Sequence, residues 1–175
     1  EVFSMNPAWR MHKGHIDGAE KKEFNDKDWK ICSLPNGTEL LPSDASGCVN
    51  YQGETWYRKH FKPAETWRGS RLVLHFEAIM GKSKVWLNGK LLTEHKGGYL
   101  PVIVDITKEL LYNEDNVITV VSDNSDDASF PPGKFQDVLD FTYAGGIYRD
   151  CWLIKHGNVF ITDPNEEGSV AGGGV

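Results

Sequence analysis

Apolar and polar residues alternate with a period of two over several short stretches of this chain, the period a half-buried β-strand requires. In residues 71–77, Leu72, Leu74 and Phe76 fall on one face, leaving Arg71, Val73, His75 and Glu77 on the other. Residues 56–61 mix rings and charge as an amphipathic strand does. Residues 84–87 and 90–93 flank Asn88-Gly89, which accepts the positive φ angles of a type I′ turn and so predicts a hairpin. Residues 117–121 are almost continuously apolar and predict a strand buried on both faces, and 151–154 and 159–162 read as further strands. Residues 105–111 are the one segment with a helical turn, with Asp105 or Thr107 as its cap.

Two irregular stretches interrupt these strands. Residues 34–53 carry Pro35, Asn36-Gly37, Pro42 and Gly47, and 122–141 hold a run of acids followed by Phe130-Pro131-Pro132-Gly133. The acidic run 123–127 lacks the glycine and closing glutamate of an EF-hand loop, so a solvated loop is the expectation there. Strands at regular intervals, without a repeat of solenoid or propeller period, predict an all-β fold, a two-sheet β-sandwich of the jelly-roll kind.

The 175 residues suit one domain, expected over 1–163, with the Gly-rich 164–175 as a linker or the start of a following domain. The chain opens without methionine, which suggests a segment processed or excised from a longer protein. A net charge of -6 with no basic stripe argues against a nucleic acid or an anionic membrane as partner. Cys32, Cys48 and Cys151 stand at no metal-ligand spacing, leaving room for one disulfide at most. The histidines are scattered, with no order that suggests a catalytic triad or zinc site.

The densest chemistry lies in residues 140–150, where Asp140, Tyr143, Tyr148, Arg149 and Asp150 surround Gly145-Gly146 between two strand-like runs. Carboxylates and rings are what sugar hydroxyls and sugar faces take. Arg149 beside Asp150 is expected to tie sheet to loop through paired hydrogen bonds. Trp9, Trp29, Trp56, Trp86 and Trp152 are expected in the core, and Trp67 at a turn where a neighbouring domain could pack.

The order of motifs resembles the N-terminal sugar-binding domain of family-2 glycoside hydrolases, especially bacterial β-galactosidases. The pieces are Met5-Asn6-Pro7-Ala8-Trp9-Arg10, Phe24-Asn25-Asp26 with Trp29, Ser33-Leu34-Pro35, and Trp56-Tyr57-Arg58-Lys59-His60-Phe61. They continue with Val85-Trp86-Leu87-Asn88-Gly89, the segment 97–107, Asn116-Val117, and Ala144-Gly145-Gly146-Ile147-Tyr148-Arg149-Asp150. The resemblance implies a galactose-binding-domain-like jelly roll that precedes an immunoglobulin-like domain and a TIM barrel of the same polypeptide. In such retaining enzymes two carboxyl groups about 5 Å apart do the chemistry, and both belong to the barrel. No catalytic residue is therefore expected in this chain, which should be inactive alone.

By the same resemblance Asp140 is the acid that reaches the barrel's mouth and helps hold a β-galactoside or related glycan and a sodium ion in the full enzyme. Asn50 is the matching candidate for a second sugar contact, and Tyr51 for ring stacking, while Asn36 reads as a turn residue. No cofactor is expected in this chain; sodium and magnesium belong to the full-length enzyme. The alternatives are an independent carbohydrate-binding module or a structural domain making subunit contacts in a homo-oligomer. The ending Ile147-Tyr148-Arg149-Asp150 favours the galactosidase branch over glucuronidases and mannosidases. Compartment is not encoded, with a periplasmic or secreted parent favoured over a cytoplasmic one.

Overall fold

Alternation with a period of two places every second side chain of the main strands between two antiparallel sheets. The computed structural model describes residues 1–38, 40–41, 49–139, 141, 145–168 and 170–173. In chain order the strands are β1 (Val2–Ser4), β2 (Trp9–Lys13), β3 (Lys30–Cys32), β4 (Asn36–Gly37), β5 (Leu40–Leu41), β6 (Val49–Asn50) and β7 (Glu54–Phe61). There follow β8 (Leu72–Phe76), β9 (Gly81–Leu87), β10 (Lys90–Gly97), β11 (Val102–Asp105), β12 (Asn116–Asp123), β13 (Gly146–Ile147) and β14 (Cys151–Lys155), then a short α-helix, α1 (Pro164–Glu167), with single 3-10 turns at Glu65–Trp67 and Gln136–Val138 between strands.

A four-stranded sheet in the order β1-β14-β8-β11 faces a six-stranded sheet in the order β10-β9-β12-β7-β2-β3. This is the expected jelly-roll sandwich. Leu72, Leu74, Phe76, Val102, Val104 and Leu153 from the first sheet meet Trp9, Tyr57, Val85, Leu87, Ile118 and Val120 from the second in one buried core. Burying side chains of this size at about 1.5–3 kcal/mol each is the main force holding the sheets face to face. The hairpin forms as predicted: Lys90 pairs with Leu87, and Asn88 and Gly89 take φ angles of 52° and 86°.

The outer face of the six-stranded sheet is also covered, which alternation alone did not predict. Residues 14–29 cross it and bury Ala19, Trp29, Trp56 and Val121 in a second cluster, with Trp86 stacked on Trp56. Arg58, expected on an amphipathic strand, is instead fully buried beneath this cover. Its guanidinium donates to Asp26 and to the backbone carbonyls of Ala19, Lys21, Lys22 and Phe24. A buried cation needs that many acceptors, so one strand residue fastens the whole segment. On the opposite face of β7, Lys59 lies within the sandwich and donates to the carbonyl of Pro7 at 2.6 Å.

Other expectations need correcting. Val73, placed with the polar face of its strand, is 1% exposed. Residues 105–111 form no helix: Asp105 accepts from the Thr107 amide at 2.9 Å, and one turn closes from Glu109 N–H to the Ile106 carbonyl. Residues 159–162 form no strand, and Val159 is exposed. The linker-like tail begins with α1, which Asp163 caps by accepting from the Asn165 amide at 2.7 Å. That helix lies against the sandwich, where Arg71 pairs with Glu167 and His156 approaches Glu166 at 2.8 Å.

Trp9, Trp29 and Trp56 are buried, as expected, whereas Trp86 and Trp152 are only half-buried. Trp67 stacks on Phe3 at 4.8 Å at the rim of the core. Cys32 and Cys151 are free thiols, and Cys48 lies outside the described residues.

Candidate functional site

Four backbone segments converge at one end of the sandwich. Strand β13 pairs with β4, so that Gly146 lies opposite Gly37 and Ile147 opposite Asn36. Tyr57, reaching up from the core, donates its hydroxyl to the Asn36 carbonyl at 3.1 Å. Burial raises its phenol pKa, so the group stays a neutral donor. Ser122, near the end of β12, donates to the Met80 carbonyl at 2.7 Å and accepts from the Gly146 amide at 3.2 Å.

The two glycines are what let the 145–146 backbone come this close. A Cβ on Gly146, where φ is 83°, would stand 2.2 Å from the Tyr57 hydroxyl. One on Gly145 would stand 2.3 Å from Thr38 Oγ1 and 2.4 Å from Asn124 Nδ2. Gly145 and Gly146 therefore do more than turn the chain: they seat it against three neighbouring segments.

Asn124 is the residue that sequence reasoning missed. It is 3% exposed, directly after β12, in what reads as an acidic solvated loop. Its side chain donates to the Tyr51 carbonyl at 2.7 Å and accepts from the Gly53 amide at 3.0 Å. The only hint in the sequence is an uncharged amide set between Asp123 and Asp126, three residues past the apolar run 117–121. Such a side chain can donate and accept at once, which no carboxylate can.

The expected ligand residues fall as follows. Tyr51 is half-buried and donates its hydroxyl to the Glu54 carbonyl at 2.9 Å, with the Lys13 ammonium 5.5 Å from its ring centre. Those contacts anchor the loop. Asn50 is placed by its backbone alone, opposite Leu40 in the β5–β6 pair. Asp140 lies outside the described residues, between Leu139 and the exposed Phe141. The sodium expectation attached to Asp140 lies there with it, and among the described residues no cluster of His, Cys, Asp or Glu gathers to hold a metal ion. Asn36, read as a turn residue, is instead part of β4.

The expected tie of sheet to loop by Arg149 takes a different form, with Asp150 rather than the arginine making the hydrogen bond. Asp150 accepts from Asn6 Nδ2 at 2.9 Å, and the exposed Arg149 lies with its guanidinium 5.7 Å from the centre of the Tyr148 ring. The Asn6 side chain also accepts from the Cys151 amide at 2.9 Å, so it joins the segment after β1 to the start of β14.

Residues 19–157 match the family described as "Glycosyl hydrolases family 2, sugar binding domain". The chain belongs to this family. It is 34% identical over 164 residues to a β-galactosidase of Thermoanaerobacter pseudethanolicus, covering 93% of this chain and 22% of that protein. It is also 30% identical over 184 residues to a β-glucuronidase of Paenibacillus borealis, covering 93% of this chain and 30% of that one. Among solved structures, a Bacteroides uniformis β-glucuronidase bound to a cyclophellitol-6-carboxylate aziridine superposes with a TM-score of 0.78 at 29% identity, over 89% of this chain and 18% of that one. The chain thus spans between a fifth and a third of the length of these curated relatives. The relatives' names divide between β-galactosidases and β-glucuronidases.

Proposed function

We propose that this chain is the non-catalytic N-terminal domain of a longer retaining glycoside hydrolase acting on terminal β-galactosides, to whose active-site mouth it lends loop residues. The observation that carries this reading is the convergence of the 36–38, 51–53, 122–124 and 145–147 segments at one end of the sandwich. Asp140 follows five residues before Gly145 on one of these segments, and Asn50 directly precedes Tyr51 on another. That adjacency along the chain is what supports assigning both candidate sugar contacts to this end. The catalytic carboxyl pair is supplied by a downstream barrel, reached through residues 164–175.

Asp140 serves as a hydrogen-bond acceptor for sugar hydroxyls, holding ground state and transition state alike. Loss of such binding raises KM and leaves kcat nearly unchanged. In the full-length enzyme Asp140→Ala should raise KM for nitrophenyl-β-galactoside about ten- to a hundredfold, the range of a hydrogen bond to a charged group. Unchanged kinetics would remove Asp140 from the site. The isolated chain should give no turnover above an empty-vector control. Calorimetric titration of the isolated chain tests the reading as an independent carbohydrate-binding module, which requires millimolar or tighter galactoside affinity. Association that depends on protein concentration and ignores sugar would favour a subunit-contact domain.

A further inference from the structure

We infer that Asn124 is a positioning residue that couples the Tyr51 loop to the Gly145 loop, so that the two sugar-facing segments move as one unit. The inference rests on the site reading above for its link to sugar and on geometry for the coupling. Asn124 stands between the segments. On one side its amide donates to the Tyr51 carbonyl at 2.7 Å, its carbonyl accepts from the Gly53 amide at 3.0 Å, and its own N–H reaches the Gly53 carbonyl at 3.4 Å. These bonds take up the backbone of the loop that begins at Asn50.

On the other side the same amide occupies the space a side chain at residue 145 would need, 2.4 Å from an ideal Cβ there. Thr38 completes that wall, donating its amide to the Gly145 carbonyl at 2.9 Å while its hydroxyl fills the remaining room. Beside Asn124 the Gly81 backbone packs so close to β12 that a Cβ there would stand 2.0 Å from the Asp123 carbonyl, leaving room for glycine alone. Asn124 is thus hydrogen-bonded to one segment and packed against the bare backbone of the other. Asn124 is therefore in contact with both segments at once.

Asn124→Asp tests the idea with almost no change of volume. A carboxylate still accepts from Gly53, but it has no hydrogen for the Tyr51 carbonyl and sets an oxygen against an oxygen. Gly145→Ala strains the same junction from the other flank. In full-length enzyme that retains a cooperative melt, each should raise KM about tenfold with kcat within about twofold, the size of one or two buried hydrogen bonds. Hydrogen exchange of the same protein supplies a second readout: Asn124→Asp should speed exchange in peptides covering both 49–54 and 139–146. Faster exchange confined to 49–54 would overturn the coupling.

The double variant Asn124→Asp with Asp140→Ala should raise KM by less than the product of the single effects, because part of the Asn124 effect acts through the Asp140 loop. A full product would also overturn the coupling. The control separates the two readings. If Asp140→Ala alone leaves KM unchanged, the sugar assignment falls, and the exchange pattern still decides the coupling. If Asp140→Ala raises KM while Asn124→Asp and Gly145→Ala do not, the positioning role of Asn124 falls and the site stands.

Discussion

Arg58 Nε donates to Asp26 Oδ2 at 2.8 Å, and both residues are almost completely shielded from water. The pair joins the centre of the six-stranded sheet to the segment that roofs it. Arg10 and His60 share the same carboxylate, and His60 also reaches Asp115 at 2.7 Å, so charge is balanced across the roof. Arg58→Met should cost about 3–5 kcal/mol, since it strands buried acceptors that no water can reach. Urea denaturation of the purified domain measures this; a loss under about 1 kcal/mol would show that the roof is held by apolar contact alone.

Acid should loosen the same roof. Burial pushes the Asp26 carboxyl up, but hydrogen bonds from Arg58, His60 and Arg10 outweigh it and hold the pKa below the ordinary value. A folded pKa below the unfolded one means stability is fully present above the unfolded value, about 3.9, and is lost as pH falls through the folded one. Melting temperatures taken from pH 6 downward should therefore fall more steeply below about pH 4 for the natural chain than for Asp26→Asn. Parallel curves would assign the acid sensitivity to other carboxylates.

Lys59 should give the same sign of pH dependence at the alkaline end, for the opposite reason: its charged form is the disfavoured one in the folded chain. Burial lowers its ammonium pKa, with the Cys151 thiol nearby as a smaller opposing influence. The unfolded chain then holds that proton at pH values where the folded one has released it, so stability rises with pH across a window that ends near 10.4. Replacing Lys59 by methionine should remove this rise and, at neutral pH, change stability by less than about 2 kcal/mol, because a buried charge and an apolar isostere are nearly matched. Denaturation curves at several alkaline pH values make the comparison.

Gly146→Ala should damage the site end first. Its φ of 83° disfavours any side chain, and the new methyl would stand 2.2 Å from the Tyr57 hydroxyl and 2.9 Å from the Asn36 carbonyl. A cost of about 2–4 kcal/mol combines the backbone penalty with overpacking. Tyr57→Phe in the same chain should recover part of it, since the nearest obstructing atom is removed. Absence of recovery would place the strain in the backbone alone.

Much of the fold was legible in local pattern. The hairpin at Asn88-Gly89 was readable because its turn chemistry is local, and β12 because a run broken only by Thr119 has apolar side chains to bury on both faces. The Gly145-Gly146 segment announced itself by composition. Residues 105–111 misled because an aspartate that caps a helix also caps a single turn, and 159–162 because an apolar run is not a strand without a partner edge.

By itself the sequence determined the strand periodicity and the family, since both rest on residue types and their order. Only the tertiary structure decided that Arg58 and Lys59 go inside, that Asp150 pairs with Asn6, and that Asn124 holds two loops at once. Those outcomes depend on acceptors and space contributed by segments dozens of residues away. A charge is buried only where distant carbonyls close around it, and a glycine is required only where another chain segment leaves no room for a Cβ.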